Sequence, residues 1–273
     1  MAPEPRVAQV TSKLAVEAFV RRNAFNHLFE MADLEETAWR NTIYYGLWDG
    51  SRLLQIALLY GGLETPILIA TPEEPEDEMR QLLRGLKQKL PARFMAHMAP
   101  AQAYELADRY DQQNIGRLHR MGLTSPSAVR GWETAGVRPL RGSDLAALEA
   151  FYAVTFPGAI FNPKDLESGL FFGFWEGVRL VSVAGVHPPC SPHYGVAVIG
   201  GVGTLEEFRG KGLAKRVVAR VCQALMAQGF TVIGLHAHTD NTAAITAYQK
   251  LGFTRISTFG SYEMTRTRVA AKR

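Results

Sequence analysis

The residues with the clearest chemical potential form a glycine-rich loop, Arg209-Gly210-Lys211-Gly212-Leu213-Ala214. The loop follows the apolar run Val196–Thr204 and leads directly into a helical pattern at Leu213–Gln228. Glycines let a ligand approach the backbone, and a helix start presents free N–H groups and the positive end of its dipole. Lys215 and Arg216 add positive charge. The segment therefore predicts a site for phosphate groups.

Two common phosphate motifs do not fit these residues. A P-loop needs Ser or Thr after its lysine, but Lys211 is followed by Gly212. A dinucleotide fingerprint needs a third glycine where Glu206 stands after Gly201 and Gly203. A turn that only caps a helix would need one glycine and no arginine.

A second group of residues lies on the next predicted helix, Asn241–Leu251. Asn241 and Tyr248 are seven positions apart, about two helical turns, so both side chains lie on one face. Both can therefore face one ligand, and the phenol of Tyr248 has an ordinary pKa of about 10. The alternative for Tyr248 is an ordinary tyrosine of an amphipathic core helix.

Two histidines are the nearest titratable groups to these elements. His236 and His238 are two positions apart on the predicted strand Thr231–His238, so they point to the same side. Their ordinary pKa lies in the range of a general base. The run Gly195–Thr204 contains no acid. A base formed by the histidines and a hydrogen-bonded structural role both stay open.

The elements that position these residues belong to an internal repeat. The segment Tyr44–Ala57 aligns without a gap on Phe171–Ala184, each residue 127 positions after its counterpart. Both copies read as an apolar strand, an acidic-Gly turn and a second apolar strand, which predicts a β-hairpin. A second match pairs Asn114 and Gly122 with Asn241 and Gly252. Each half therefore reads as hairpin, strand, helix, strand, helix.

The repeat predicts two domains, residues 1–127 and 128–273, joined near Thr124-Ser125-Pro126-Ser127. In the first half we expect strands at Pro66–Ala70 and Arg93–His97, and helices at Met79–Leu90 and Gln102–Tyr110.

Composition excludes several classes of protein. The chain has 273 residues, 47% hydrophobic and 21% charged, which is typical of a globular protein. A net charge of +4 without a dense basic stripe does not indicate nucleic-acid binding. No apolar run reaches the roughly 20 residues of a membrane helix. With two cysteines and no signal-peptide pattern at the start, we expect a cytoplasmic protein without disulfides.

One short segment has spacing that a metal ion could use. His187, Cys190 and His193 recur every three residues, but they lie in a proline-rich connection for which we expect an irregular loop. No fourth ligand with fixed spacing is visible, so we expect no metal site.

The loop and the second helix together resemble the two motifs of the GNAT superfamily of acyl-CoA-dependent N-acyltransferases. Arg209–Ala214 is similar to the family's Arg/Gln-x-x-Gly-x-Gly/Ala signature, and Asn241–Phe253 to its second motif. The resemblance covers about residues 137–264. It implies an α/β (α+β) fold of two tandem GNAT-like domains, each with a mixed, largely antiparallel sheet flanked by helices. In the C-terminal domain it implies a splayed parallel strand pair.

The resemblance also implies a function, the transfer of an acetyl group from acetyl-CoA to a primary amine by direct attack. The acceptor would be a small molecule or a peptide, and the protein a monomer or homodimer. Tyr248 would be the general acid, with His236 and His238 as candidates for the base. The residues expected to bind acyl-CoA are Val202, Gly203, Thr204, Arg209, Gly210, Lys211, Gly212, Leu213, Ala214, Lys215 and Asn241.

The first half lacks these motifs. At the loop position it has Thr71–Glu78, whose acidic side chains repel phosphate and whose prolines remove N–H donors. We expect a degenerate domain that does not bind CoA and that helps to shape the acceptor pocket. This arrangement is similar to glycine N-acyltransferase-like and mycothiol synthase-like relatives. Two alternatives stay open: a non-catalytic acyl-CoA-binding or scaffold module, and the use of a longer acyl-CoA in space left by Gly200, Gly201 and Gly203.

Overall fold

A computed structural model describes residues 5–157 and 161–267, with the side chains of 187–189 outside that description. The chain divides into two compact units. One consists of residues up to His119 together with those from Ser257 onward, and the other of Arg120–Ile256.

The first unit is a mixed sheet with helices. Its elements are β1 (Arg6–Gln9), α1 (Lys13–Val20), α2 (Leu28–Ala32), α3 (Glu36–Trp39), β2 (Thr42–Asp49), β3 (Arg52–Tyr60), β4 (Ile67–Ala70), α4 (Glu76–Leu86), β5 (Arg93–Met98), α5 (Pro100–Tyr104) and most of β6 (Tyr110–Leu123). Strands β1 to β5 are neighbours in chain order, and all pairs are antiparallel except β4 with β5.

The second unit repeats this plan. Its elements are α6 (Ser127–Arg130), β7 (Val137–Pro139), α7 (Leu145–Thr155), β8 (Phe172–Glu176), β9 (Arg179–Ser191), β10 (Val196–Thr204), α8 (Leu213–Ala227), β11 (Val232–His238), α9 (Thr242–Lys250) and the start of β12 (Phe253–Arg266). Strands β7 to β11 are neighbours in chain order, and only β10 with β11 is parallel. The predicted fold class is confirmed.

The two predicted hairpins are present, and they match in detail. The turn after β2 closes at the pair Asp49–Arg52, and the turn after β8 closes at Glu176–Arg179. Gly50 and Gly177 have φ of +57° and +59°, which glycine adopts without strain. In both hairpins the register shifts just before the tryptophan, which pairs with a leucine on the returning strand.

The parallel pairs differ between the units. Strands β4 and β5 pair from Ile67 with Met95 to Ala70 with Met98, the last residues of both strands. Strands β10 and β11 pair only as far as Ile199 with Leu235, although β10 continues to Thr204 and β11 to His238. The predicted splay in the second unit is therefore present.

The second match of the repeat was wrong. Asn114 lies inside the long strand β6, whereas Asn241 caps a helix. Gly122 lies in the same strand, whereas Gly252 has φ of +90° in the turn between α9 and β12. The helix expected at Gln102–Tyr110 is shorter in the structure, where α5 comprises only Pro100–Tyr104.

The units do not follow the predicted boundary after residue 127. Strand β6 enters the second unit at Arg120, and residues of β12 from Ser257 belong to the first. The reason is strand pairing, since Gly260–Thr265 of β12 pairs antiparallel with Met98–Arg93 of β5.

The sheet of the second unit is covered on both faces. One apolar cluster joins α8 and α9 to Ala184 and Val186 of β9, and another joins α7 to Val181 and Val183. Because side chains of a strand alternate between faces, α7 lies on the opposite face from α8 and α9.

The proline-rich segment is part of β9 rather than an irregular loop. Pairing of β8 with β9 stops at Ala184, so the following residues of β9 have only β10 as a partner. Prolines are tolerated at such an open edge because no N–H is needed there. The side chain of His187 lies outside the described residues. Among those described, no cluster of His, Cys, Asp and Glu could hold a metal ion.

Cys190 and Cys222 are free thiols. None of the helices within 5–157 and 161–267 combines the length and hydrophobicity needed to cross a bilayer.

Side chains of the first unit hold its own counterpart of the glycine-rich loop. Buried Gln55 donates to the carbonyl of Glu73 at 2.8 Å and accepts from its amide at 3.1 Å. The Glu73 carboxylate contacts Asn26 at 3.1 Å and His27 Nε2 at 2.9 Å. Nδ1 of His27 contacts Glu30 at 3.1 Å. The loop backbone is thus bound internally.

Burial alone would lower the pKa of His27, but the carboxylates of Glu30 and Glu73 outweigh it and raise the pKa above its usual 6.5. Burial and the charge of Glu30 raise the pKa of Asp33 to about 7. A raised folded pKa gives stability below the unfolded pKa that is lost as pH rises through the folded value. The contribution of Asp33 should therefore fall from about pH 4 to neutrality, and that of His27 should fall as the pH rises above 6.5.

We expect His27→Gln to lower the free energy of unfolding at pH 6 by about 3 kcal/mol, because removing one partner leaves a buried carboxylate uncompensated. It should also flatten the fall in stability above pH 6.5. Urea unfolding followed by circular dichroism between pH 6 and 9 measures both. The exposed His193→Gln is the control, and equal slopes for His27→Gln and the wild type would contradict the assignment.

Candidate active site

The site is a cavity of about 600 Å³ in the second unit, where β10 separates from β11. Its walls are the end of α7, the end of β10, the glycine-rich loop, and α9. The lining residues are Thr155, Phe156, Val202, Gly203, Thr204, Phe208, Arg209, Gly210, Gly212, Leu213, Ala214, Lys215, Asn241, Ala243, Ala244, Thr246, Ala247, Tyr248 and Lys250. All the predicted acyl-CoA-binding residues except Lys211 line this cavity.

The start of α8 is open toward an anion. Gly210 and Gly212 have φ of +80° and +78°, and Gly212 is the N-cap. No side chain caps this helix, so the N–H groups of its first turn can donate to a ligand. A Cβ added to Gly210 would meet no atom within 4 Å, so the backbone there is accessible. This end of the cavity fits a pyrophosphate.

The three basic residues of the loop have different positions. Arg209 Nε donates to the carbonyl of Thr204 at 3.3 Å and so ties the loop to the end of β10. Lys215 lines the cavity, with its ammonium 5.2 Å from the ring of Trp132. Lys211 lies outside the lining, with its ammonium 4.7 Å from the ring of Phe208. The charged residues in the described lining are Arg209, Lys215 and Lys250, and all three are cations.

Ser182 of the neighbouring strand β9 binds the end of β10 on the side away from β11. Buried Ser182 Oγ donates to the carbonyl of Gly203 at 2.9 Å and lies 2.8 Å from the hydroxyl of Thr204. On the β11 side, the residues after Ile199 have no pairing with that strand. Backbone groups at this edge therefore face the cavity, where an extended ligand with amides could pair with them.

Asn241 and Tyr248 both line the cavity, as their spacing on α9 predicts. Asn241 Oδ1 accepts the amide of Ala244 at 3.1 Å as the N-cap of α9, so only its Nδ2 group can donate to a ligand. Tyr248 is 7% exposed and packs 6.1 Å from the ring of Phe253. Burial raises the pKa of Tyr248 to about 12, so its phenol stays protonated at neutral pH.

His236 and His238 are not among the lining residues. Their neighbours Leu235 and Ala237 pack in the cluster that contains Tyr248. Alternation along β11 therefore places both histidines on the other face of the sheet from α9. Their role as a base stays a prediction.

Sequence reasoning missed several residues around the cavity. Thr155 comes from the end of α7, on the opposite face of the sheet from α9, and no spacing pattern links it to the loop. Ser182 did leave a signal. It interrupts an apolar strand, and the repeat aligns it with Gln55. Gln55 binds the backbone just after β4, and Ser182 binds the backbone at the end of β10.

Comparison with protein families gives a match to this unit. The family described as Acetyltransferase (GNAT) family matches residues 144–253, which include α7, the loop and α9. Residues 144–253 belong to the GNAT acetyltransferase family. GNAT acetyltransferases use acyl-CoA as co-substrate, and the GNAT domain of this chain places both family motifs at one cavity.

Relatives of this chain include proteins named mycothiol acetyltransferase. The protein of Paenarthrobacter aurescens is 38% identical over 73 residues, which are 27% of this chain and 23% of that protein. The chain thus matches about a quarter of that relative's length. The protein of Geodermatophilus obscurus is 28% identical over 223 residues, 71% of each chain.

A solved structure shows the same fold over both units. It is a tandem GNAT protein from the clavulanic acid biosynthesis pathway, with a TM-score of 0.52 and 12% identity over 98% of this chain and 100% of that one. At this identity the likeness concerns the fold alone.

Proposed function

We propose that this protein transfers an acetyl group from acetyl-CoA to a primary amine by direct attack. One observation carries the proposal: an uncapped helix start and a protonated tyrosine line the same cavity, at the point where two parallel strands separate. The first is suited to a phosphate-bearing donor, and the second to a departing thiolate.

The second unit offers the donor three kinds of contact. Amides at the start of α8, with Lys215 beside them, would bind the pyrophosphate. Backbone groups of Val202, Gly203 and Thr204 would bind the amide-containing arm of CoA in place of a strand. Nδ2 of Asn241 would donate to the same arm from the opposite wall.

In the reaction, the neutral amine nitrogen attacks the thioester carbon, and the resulting tetrahedral adduct expels the thiolate as the carbon–sulfur bond breaks. Tyr248 would donate a hydrogen bond to that sulfur. Its pKa of about 12 lies above the value of about 8.5 of a cysteine-like thiol, so full proton transfer is uphill. Stabilisation of the thiolate by the hydrogen bond is therefore its main contribution, with protonation completed from solvent. The amine must lose a proton, for which His236 and His238 stay candidates.

The competing function is a non-catalytic acyl-CoA-binding module. The absence of carboxylate and imidazole side chains among the described lining residues is compatible with it. The two functions differ in whether any amine is acylated.

Isotope-labelled acetyl-CoA offered with a panel of amines tests the transfer. The panel should include small molecules, peptides and the acceptor of mycothiol acetyltransferases. We expect labelled amide product, and a kcat about ten- to hundredfold lower for Tyr248→Phe, because a hydrogen bond to a charged group is worth about 1.5–3 kcal/mol. Affinity for CoA should change little. CoA binding without transfer would instead support the binding module.

The cavity charge is tested by a matched pair of substitutions on α8. We expect Lys215→Glu to weaken CoA binding at least about tenfold in low salt, because it places a negative charge beside the phosphates. Arg220→Glu changes the net charge equally, but Arg220 is outside the lining and packs on Phe172. Calorimetric titration with CoA should therefore distinguish them, and equal losses would place the phosphates elsewhere.

The acyl group that fits is short. A Cβ at Gly203 would lie 3.1 Å from the ring of Phe151 and 3.2 Å from that of Phe156, so aromatic rings fill the space beside this glycine. Phe156 also lines the cavity. This favours acetyl over the longer chains for which the glycines had suggested room.

Phe156→Ala should enlarge this space. We expect it to raise kcat/KM for hexanoyl-CoA relative to acetyl-CoA by roughly tenfold, since each buried methylene is worth about 0.8 kcal/mol and part of the chain would stay exposed. Val154→Ala, on the same helix but 68% exposed and outside the lining, is the control. An unchanged ratio would show that Phe156 does not bound the acyl group.

A further inference from the structure

The end of β10 contains a bulge beside the cavity. Between the pairs Gly200–Gly185 and Gly203–Val183, β10 advances three residues while β9 advances two. Gly201 lies in this interval with φ of +59°, a left-handed conformation typical of glycine in bulges. A residue without a Cβ permits the bulge, but it also leaves the adjoining peptide free to rotate.

One side chain restrains this peptide. Tyr152 of α7 donates its hydroxyl to the carbonyl of Gly201 at 3.3 Å. The tyrosine is 7% exposed, and its ring packs 5.6 Å from that of Phe161 and 5.8 Å from that of Phe156. Burial, with a smaller effect of the negative charge of Asp165, raises the pKa of Tyr152 above its usual value, so the hydroxyl stays a donor.

The hydrogen bond from Tyr152 also sets the direction of the N–H group of Val202. In a trans peptide the C=O and N–H groups point in opposite directions. With the Gly201 carbonyl held by Tyr152, the N–H of Val202 points away from α7. Val202 and Gly203 line the cavity, so the restrained peptide forms part of the wall that meets the acyl donor.

We propose that Tyr152 is a positioning residue that holds the Gly201–Val202 peptide in the orientation required for acyl transfer. The role rests on the proposed function. Tyr152 acts through the backbone of β10 and needs no contact with the reacting atoms.

The test compares Tyr152→Phe, which keeps the ring and removes the hydroxyl, with the wild type. We expect kcat to fall about five- to tenfold, or about 1.0–1.4 kcal/mol at 1.36 kcal/mol per tenfold. The Kd for CoA should rise by a smaller factor than kcat falls, because the contacts at α8 are intact and only the contact of the CoA arm with Val202 is loosened, and the pH profile should keep its shape. Thermal unfolding verifies the fold, and Tyr104→Phe, at a residue 79% exposed, is the control.

A second measurement does not depend on turnover. Amide hydrogen exchange in the CoA-free protein, resolved by NMR, should be at least about fivefold faster at Val202 in Tyr152→Phe and unchanged at Ile199. If the wild type acetylates no amine, the proposed function fails and the catalytic part of the positioning role fails with it, whereas faster exchange at Val202 would still show that Tyr152 restrains this peptide. Unchanged exchange at Val202, or a kcat within twofold of an active wild type, would overturn the positioning role.

Discussion

Strand β10 loses its parallel neighbour after Ile199, and most of what distinguishes the second unit follows from the backbone groups left there. Such groups are costly to bury unless something pairs with them. Ser182 and Tyr152 bind two carbonyls from within the protein, and Arg209 binds a third. The cavity opens on the remaining edge.

The first unit leaves fewer backbone groups without a partner at the corresponding place. Its parallel pair stays together to the last residues of both strands, and the segment that follows β4 is bound by Gln55 and His27. Two copies of one plan thus differ in what pairs with the backbone after the fourth strand. In the first unit the partner is the buried side chain of Gln55, with His27 on the Glu73 carboxylate, and in the second unit Ser182, Tyr152 and Arg209 bind three carbonyls while one edge of β10 faces the cavity. The acidic segment of the first unit contributes Glu73 to its own structure.

Much of this could be predicted from the sequence, because the signals were local. Acidic-Gly turns between apolar runs mark both hairpins, and a glycine-rich loop before a helix marks the start of α8. Asn114 was misplaced because a short match around a glycine does not separate a strand interior from a helix end. Tyr152 could not be found, since its importance comes from a hydrogen bond to a carbonyl 49 positions later.

The pairing of β12 with β5 bears on how the chain folds during synthesis. The sheet of the first unit has a strand that comes from much later in the sequence, so β5 keeps an open edge until residues 260–265 have left the ribosome. Open edges of this kind recruit other strands, and pairings between distant residues form slowly. The N-terminal half is therefore a poor candidate for separate expression.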